Sequence, residues 1–395
     1  MYLTSFIHRE GLFNITGRWL SGRLEPDDGL RITQILICDG FVVGETLEAM
    51  TNLLLGMIHE KPFHKKYIYF KGELRDAICR SAKNITSRAD TLIRQYKNNP
   101  DFFYREAPVN GVICLNNERH LSGFYRIKRP RRIAEKANRY IASWIFKMVQ
   151  DRAQRMAEER ATKLGIPIED LLTPQEEMAR EFTDAERIIA EKFKEGTIGL
   201  DQSAMTIHDV GGIKIVGNEE QLSHIEKALS DHPMIQVVEK EEHTGNYQAN
   251  SLILEVPWDK ESICRKYIDT RAWEKYLNRG ISEEELRKGL ESLLHDAKPT
   301  LKIELILSTL PDMVESELGN SIHEERIIAQ RNNKIYKGYI PINVEFLIEY
   351  LFAVGLSPRI GIDSLPIKLW GRYLPDTISS RIRQLYQMPE YGLFY

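Results

Sequence analysis

Two carboxylates fall where phosphate chemistry would need them. Asp209 follows Thr206-Ile207-His208 and precedes Val210-Gly211-Gly212-Ile213-Lys214-Ile215. An acid beside two glycines at a strand sits on backbone that a bulky phosphate can approach closely. Glu304 lies inside residues 301–307 (LKIELIL), where Lys302, Glu304 and Ile306 share one strand face and Leu301, Ile303, Leu305 and Leu307 share the other. On neighbouring strands the two acids would form a magnesium site, because Mg²⁺ takes hard oxygen ligands and substrate phosphates. Taken alone, a mid-strand acid reads equally as a solvent-facing side chain.

Cations for such a site lie upstream. Residues 124–140 (FYRIKRPRRIAEKANRY) carry seven Lys or Arg against one Glu, a local charge of +6. This window reads as a phosphate grip, a plain basic helix face or an RNA-binding patch. Other chemistries are missing from the chain: it has no GxxxxGK[ST], no GxGxxG after a strand, no HExxH and no GxSxG. His208-Asp209 and His295-Asp296 are the two His-Asp dipeptides; a metal phosphohydrolase would need further His and Asp ligands converging on one centre, and nothing around the second dipeptide suggests them.

The elements that must position these residues follow from periodicity. Residues 44–60 and 71–96 have helical spacing, and the Ile-rich residues 31–38 suggest a strand. Residues 111–115 (GVICL) read as a strand, and Pro130 suits the first turn of a helix over 133–163 that breaks at Gly165-Ile166-Pro167. Residues 157–195 hold eleven acidic and six basic side chains, a solvated helical insertion. Strands are expected over 204–216, 235–239, 251–256 and 301–307, with helices over 218–229, 282–297 and 311–331. That order implies an α/β (α+β) fold, a mixed sheet flanked by helices. The expected layout is a mainly helical region over 1–110, a central domain over 111–345 with a helical insertion at about 140–203, and an aromatic-rich segment over 346–395.

Composition agrees with a folded chain: 395 residues, 42% hydrophobic, 28% charged, net charge −3. No apolar run is long enough to span a membrane, and the N-terminus does not read as a signal peptide. Four dispersed cysteines without a CxxC pair point to a reducing cytoplasm.

Taken in order, four segments resemble the synthetase domain of the RelA/SpoT family. Residues 126–136 are similar to its basic RVK-S-P stretch, and Asp209-Val-Gly-Gly-Ile-Lys-Ile is similar to D-x-x-G-x-R-I. Gly245-Asn246-Tyr247-Gln248 resembles N-x-Y-Q, and residues 304–309 (ELILST) resemble E-I-Q-I-R-T. The resemblance implies a nucleotidyltransferase-like fold and transfer of pyrophosphate from ATP to the ribose 3′-OH of a guanosine nucleotide. It implies Asp209 and Glu304 as the catalytic, Mg²⁺-holding acids, and Arg126, Lys128, Lys136 and Lys214 as ATP-phosphate contacts. Tyr247, Asn246, Gln248 and His323 would bind the acceptor. The chain departs from the family at Ala249-Asn250-Ser251, where a His is expected, and at Lys214, Ile306 and Ser308. About 65 residues separate the first two motifs. Two alternatives stay open: an inert nucleotide-binding relative, and an RNA-binding protein using the basic window and the aromatic residues Trp370, Tyr373, Tyr386, Tyr391, Phe394 and Tyr395. No membrane partner is expected, and self-association is left open.

Overall fold

The structure, a computed structural model, describes residues 1–59, 62–83, 85–243, 248–319 and 339–371. In chain order, β1 (Tyr2–Leu3) leads to α1 (Arg9–Leu20) and α2 (Asp28–Gly56), and β2 (His64–Phe70) enters α3 (Lys71–Ser81) and α4 (Ser87–Asn98). The strands β3 (Pro108–Leu115) and β4 (Leu121–Ile127) feed α5 (Pro130–Leu164), which is followed by α6 (Gln175–Glu195). Next come β5 (Thr206–Ile207), β6 (Gly211–Val216), α7 (Glu219–Ser230), β7 (Gln236–His243) and β8 (Ala249–Pro257). The described chain continues through α8 (Lys260–Asp269), α9 (Glu283–Arg287), β9 (Thr300–Ser308), α10 (Leu310–Leu318) and α11 (Tyr339–Leu356).

Seven strands form one mixed sheet in the order β2-β3-β4-β6-β9-β8-β7, and eleven helices accompany it among the described residues. Only β6 and β9 run parallel; the other neighbours in this sheet are antiparallel. β1 and β5 make a separate parallel pair. The sheet therefore draws β2 from the first hundred residues and its centre from the middle of the chain.

The two sheet faces differ. On one, Tyr125, Ile213, Leu305 and Leu252 are cross-strand neighbours, and they join the main core beneath α2, α5 and α11. Each fully buried Leu or Ile contributes roughly 1.5–3 kcal/mol. On the other, Ile68, Ile113, Phe124 and Val216 pack with Met313, Val314 and Leu318 of α10 and with α3 and α4. That second core covers only part of its face. Beyond it lies a polar strip.

Several expectations need correction. Residues 31–38 are helix, not strand, because they belong to the 29-residue α2. Ile32, Ile35, Ile37, Cys38 and Asp39 are all buried there, so no polar stripe marks the helical period. The helix expected over 71–96 is two helices, the second capped by Thr86 accepting from Ala89 N–H. The helix expected over 282–297 ends at Arg287; Gly289, at φ +93°, turns the chain, and a short 3-10 turn (Glu291–Leu293) follows. Strands β2 and β4 and helices α8 and α11 were not anticipated. The end of the helix expected over 311–331 lies outside the described residues past Gly319.

Other signals correspond to what forms. Pro130 opens α5, which ends at left-handed Gly165. Asn218 caps α7 in a reciprocal box with Gln221. In β9 the buried residues Leu301, Ile303, Leu305 and Leu307 alternate with half-buried Lys302, Glu304 and Ile306. In the acidic insertion, α6 packs on α5 through Trp144–Phe193 and Phe146–Phe182 ring contacts at 5.8 and 5.9 Å. Trp370 also meets Phe193, at 6.0 Å, while the tail aromatics beyond Gly371 lie outside the described residues.

Candidate active site

The polar strip is built by register. Arg126 on β4, Gly212 on β6 and Glu304 on β9 are successive cross-strand partners, so their side chains share one face. Lys128 follows Arg126 on that same alternation, its N–H donating to Val210 C=O at 2.8 Å. Two residues later Pro130 starts α5, whose second turn carries Lys136.

The side chains converge. The Lys128 ammonium donates to Asp209 Oδ2 and lies 3.4 Å from Glu304 Oε2. Lys136 Nζ lies 2.7 Å from the same Asp209 oxygen and sits 5.8 Å from the Tyr140 ring centroid. Burial would raise the Asp209 pKa, but the Lys128 and Lys136 charges and hydrogen bonds prevail and hold it at about 2, against an ordinary 3.8. Burial likewise opposes the Lys136 charge, and Asp209 outweighs it, raising that lysine. Asp209 Oδ1 is buried and has no hydrogen-bond partner among the described residues.

A second group of cations adjoins the first. Lys214 projects from β6 on the same face, two residues past Gly212. Arg126 and Lys214 are half-buried, and neither makes a side-chain hydrogen bond or ion pair with a described residue; Arg126 lies over the Phe124 ring at 5.7 Å. Burial pushes both pKa values down, partly offset by Glu317 and Glu304. Lys71, opening α3, reaches Glu317 of α10 at 3.9 Å. Among the described residues the strip thus gathers five cations (Lys71, Arg126, Lys128, Lys136 and Lys214) around three carboxylates (Asp209, Glu304 and Glu317). Such an excess of half-buried positive charge suits a polyanion.

The two glycines do different work. A Cβ on Gly211 would meet Val43 Cγ1 at 3.1 Å, so this glycine lets α2 approach the sheet. A Cβ on Gly212 would lie 3.5 Å from Glu304 Oε2, an ordinary contact, so Gly212 instead leaves an opening between Arg126 and Glu304.

The N-terminal segment staples the site. Ser5 Oγ donates to Lys302 C=O at 2.7 Å and accepts from Gly211 N–H at 3.0 Å. One hydroxyl therefore ties a point two residues past Asp209 to a point two residues before Glu304. Thr4 Oγ1 sits 3.0 Å from His208 Nδ1, and Lys302 N–H donates to Thr4 C=O at 3.0 Å. Sequence reasoning missed Thr4, Ser5, Lys71 and Glu317. No local motif marks them; their partners are distant along the chain.

Of the acceptor residues, Gln248 alone lies among the described residues, and it stands away from the strip. Asn250 pairs with Leu307, which puts exposed Gln248 level with Thr309, roughly 16 Å along the strand from Glu304. The Gln248 N–H donates to Asp312 Oδ1 at 2.9 Å. Asn246, Tyr247 and His323 lie outside the described residues. Within the basic window, Arg131 and Arg132 pair with Glu135 on their own helix, and Arg131 also with Glu349 of α11 at 3.9 Å, instead of joining the strip.

The site's residues fit the magnesium ion that the family resemblance implies. Both acids offer hard oxygens, and Asp209 Oδ1 is a buried acceptor with no donor among the described residues. Elsewhere, buried His8, Cys38 and Asp39 bring potential metal-ligand atoms within 4.8 Å of one another. There, however, His8 Nδ1 is hydrogen-bonded to Asp39 at 2.5 Å and Nε2 to Leu293 C=O at 2.7 Å, so both ring nitrogens are already engaged. A cleft of about 770 Å³ between α1 and α2 has no lining residue in common with the strip. Its charges pair among themselves, as in Arg18–Glu25 at 3.1 Å and Lys298–Glu10 at 3.3 Å. His295-Asp296 is an exposed pair. Among the described residues no helix is long and apolar enough to cross a membrane.

The chain matches no family profile, no curated protein and no solved structure.

Proposed function

We propose that this chain is a magnesium-dependent pyrophosphokinase with a nucleotidyltransferase-like sheet, transferring pyrophosphate from ATP to the ribose 3′-OH of a guanosine nucleotide or to another nucleotide or RNA acceptor. The observation that carries this reading is the meeting of Asp209, Glu304, Lys128 and Lys136 on one sheet face. Asp209 and Glu304 would hold the metal, which when bound neutralises phosphate charge. Lys128 and Lys136 grip the triphosphate, and Arg126 and Lys214 take further phosphate charge across the gap at Gly212. Glu304 accepts the proton of the attacking hydroxyl when that hydroxyl lies within hydrogen-bond reach. The hydroxyl oxygen bonds to the ATP β-phosphorus, the bond from that phosphorus to the α–β bridging oxygen breaks, and AMP leaves with the electron pair. Transfer of this kind asks the protein mainly for positioning and charge neutralisation.

The test incubates the protein with γ-labelled ATP, Mg²⁺ and, in turn, GDP, GTP, ADP and uncharged tRNA, with Asp209→Ala as control. The expected result is a labelled product with release of AMP, absent in the variant. ATP binding without product from any acceptor would assign the chain to an inert nucleotide-binding relative. No ATP binding at all would overturn the reading.

A further inference from the structure

Lys128 stands where a cation would bridge the two acids. Its ammonium contacts Asp209 Oδ2 and Glu304 Oε2, the latter at 3.4 Å, and Lys136 adds a second ammonium 2.7 Å from Asp209. Two carboxylates and two ammoniums make a locally neutral set. A divalent ion entering that set would leave two positive charges uncompensated in a partly buried place, with Arg126 and Lys214 close by. The strip nevertheless keeps one oxygen in reserve: buried Asp209 Oδ1 accepts from no described residue.

We infer that Lys128 is the resident counter-ion of the Asp209–Glu304 pair, and that a divalent cation is admitted only when a polyphosphate draws Lys128 away. This rests on the pyrophosphokinase reading for the identity of the polyanion. The chain supplies the means of exchange. The Lys128 backbone is pinned by its hydrogen bond to Val210 C=O at 2.8 Å, while its four-carbon stem is free to swing the ammonium toward an arriving phosphate. Polyphosphate and cation then bind synergistically. The phosphate takes the lysines, the carboxylates take the metal, and neither exchange is favourable alone. Lys128 is in this respect a positioning residue that keeps the site closed to free metal.

The test measures Mn²⁺ binding to the full-length chain by loss of the free-ion electron paramagnetic resonance signal. It is run with and without α,β-methylene-ATP, whose bridging carbon does not leave, and a protein-free titration of the same analogue is subtracted to remove the Mn²⁺ that its phosphates bind in solution. Wild-type protein is expected to bind Mn²⁺ alone at least tenfold more weakly than in the presence of the analogue. Lys128→Met is expected to bind Mn²⁺ alone at least tenfold more tightly than wild type. Lys136→Met, whose parent touches Asp209 but not Glu304, should give a smaller gain. Lys128→Gln serves as a second variant, and melting temperatures confirm that each protein is folded. Equal Mn²⁺ affinity in wild type and both Lys128 variants overturns the proposal, as does tight Mn²⁺ binding to wild type without the analogue. Tightening in Lys128→Met with no calorimetric binding of the analogue to wild type overturns the nucleotide reading, and with it the polyphosphate trigger, while leaving Lys128 as the resident cation.

Discussion

Two clusters that set a basic side chain against a carboxylate, His8–Asp39 and Lys128–Asp209–Glu304, are finished to different degrees. In the His8–Asp39 pair the side chains are 2% and 0% exposed. Asp39 accepts from His8 N–H at 2.9 Å and meets Nδ1 at 2.5 Å, and Nε2 donates to Leu293 C=O at 2.7 Å. In the Lys128–Asp209–Glu304 cluster the side chains are 25%, 14% and 21% exposed, and among the described residues one Asp209 oxygen has no partner and the Arg126 and Lys214 side chains stand beside it without hydrogen bonds. A buried polar group that is fully satisfied builds structure; one left incomplete beside solvent is the place to look for a ligand.

Breaking the closed cluster should have the largest effect on stability. Asp39→Ala leaves the buried His8 backbone N–H and Nδ1–H without their acceptor and is expected to cost about 3–5 kcal/mol in urea unfolding. The two clusters should also respond oppositely to pH. Burial works against the His8 charge, but the Asp39 hydrogen bond and charge outweigh it, so its pKa is raised. Its contribution is therefore complete below the ordinary value of 6.5 and lost as pH rises through the raised value. Asp209 is depressed to about 2, so its contribution, roughly 2 kcal/mol, is present above 3.8 and lost as pH falls through about 2. Unfolding curves of Asp39→Ala and Asp209→Asn across pH should separate the two limbs, and a common pH dependence would contradict the distinction.

Smaller changes sharpen the contrast. Ser5→Ala leaves the Gly211 N–H and Lys302 C=O unmatched, which is expected to cost about 1–3 kcal/mol in thermal unfolding and to slow catalysis by loosening the spacing of Asp209 and Glu304. Gly211→Ala should destabilise through Val43, whereas Gly212→Ala should leave the melting temperature nearly unchanged and weaken ATP binding in calorimetry. Arg131→Ala removes the exposed guanidinium's pairs with Glu135 of α5 at 3.5 Å and Glu349 of α11 at 3.9 Å and should shift stability by under about 1 kcal/mol, with activity intact.

How much of this was legible depended on whether the signal was local. The alternation of β9, the Pro130 start and the amphipathic helix over 218–229 are short-range patterns, and all three appear in the chain. The centre of α2 was illegible because a helix buried on nearly every side loses its amphipathic period. β2 was missed because it is an edge strand with one buried residue, Ile68, so HKKYIYF shows no apolar alternation. At the site, Asp209, Glu304, Lys128 and Lys136 could be singled out from motif order. Ser5 could not, since its partner Gly211 lies 206 residues away. Lys71 and Glu317 enter the strip only because α3 and α10 flank the same sheet face.

The most direct test of the central claim compares labelled product from γ-labelled ATP in wild type, Asp209→Asn, Glu304→Gln and Arg131→Ala, at equal concentrations of folded protein. The account predicts product from wild type and Arg131→Ala, and at least about a 100-fold loss in the two acid variants. Undiminished product from Asp209→Asn or Glu304→Gln would contradict it.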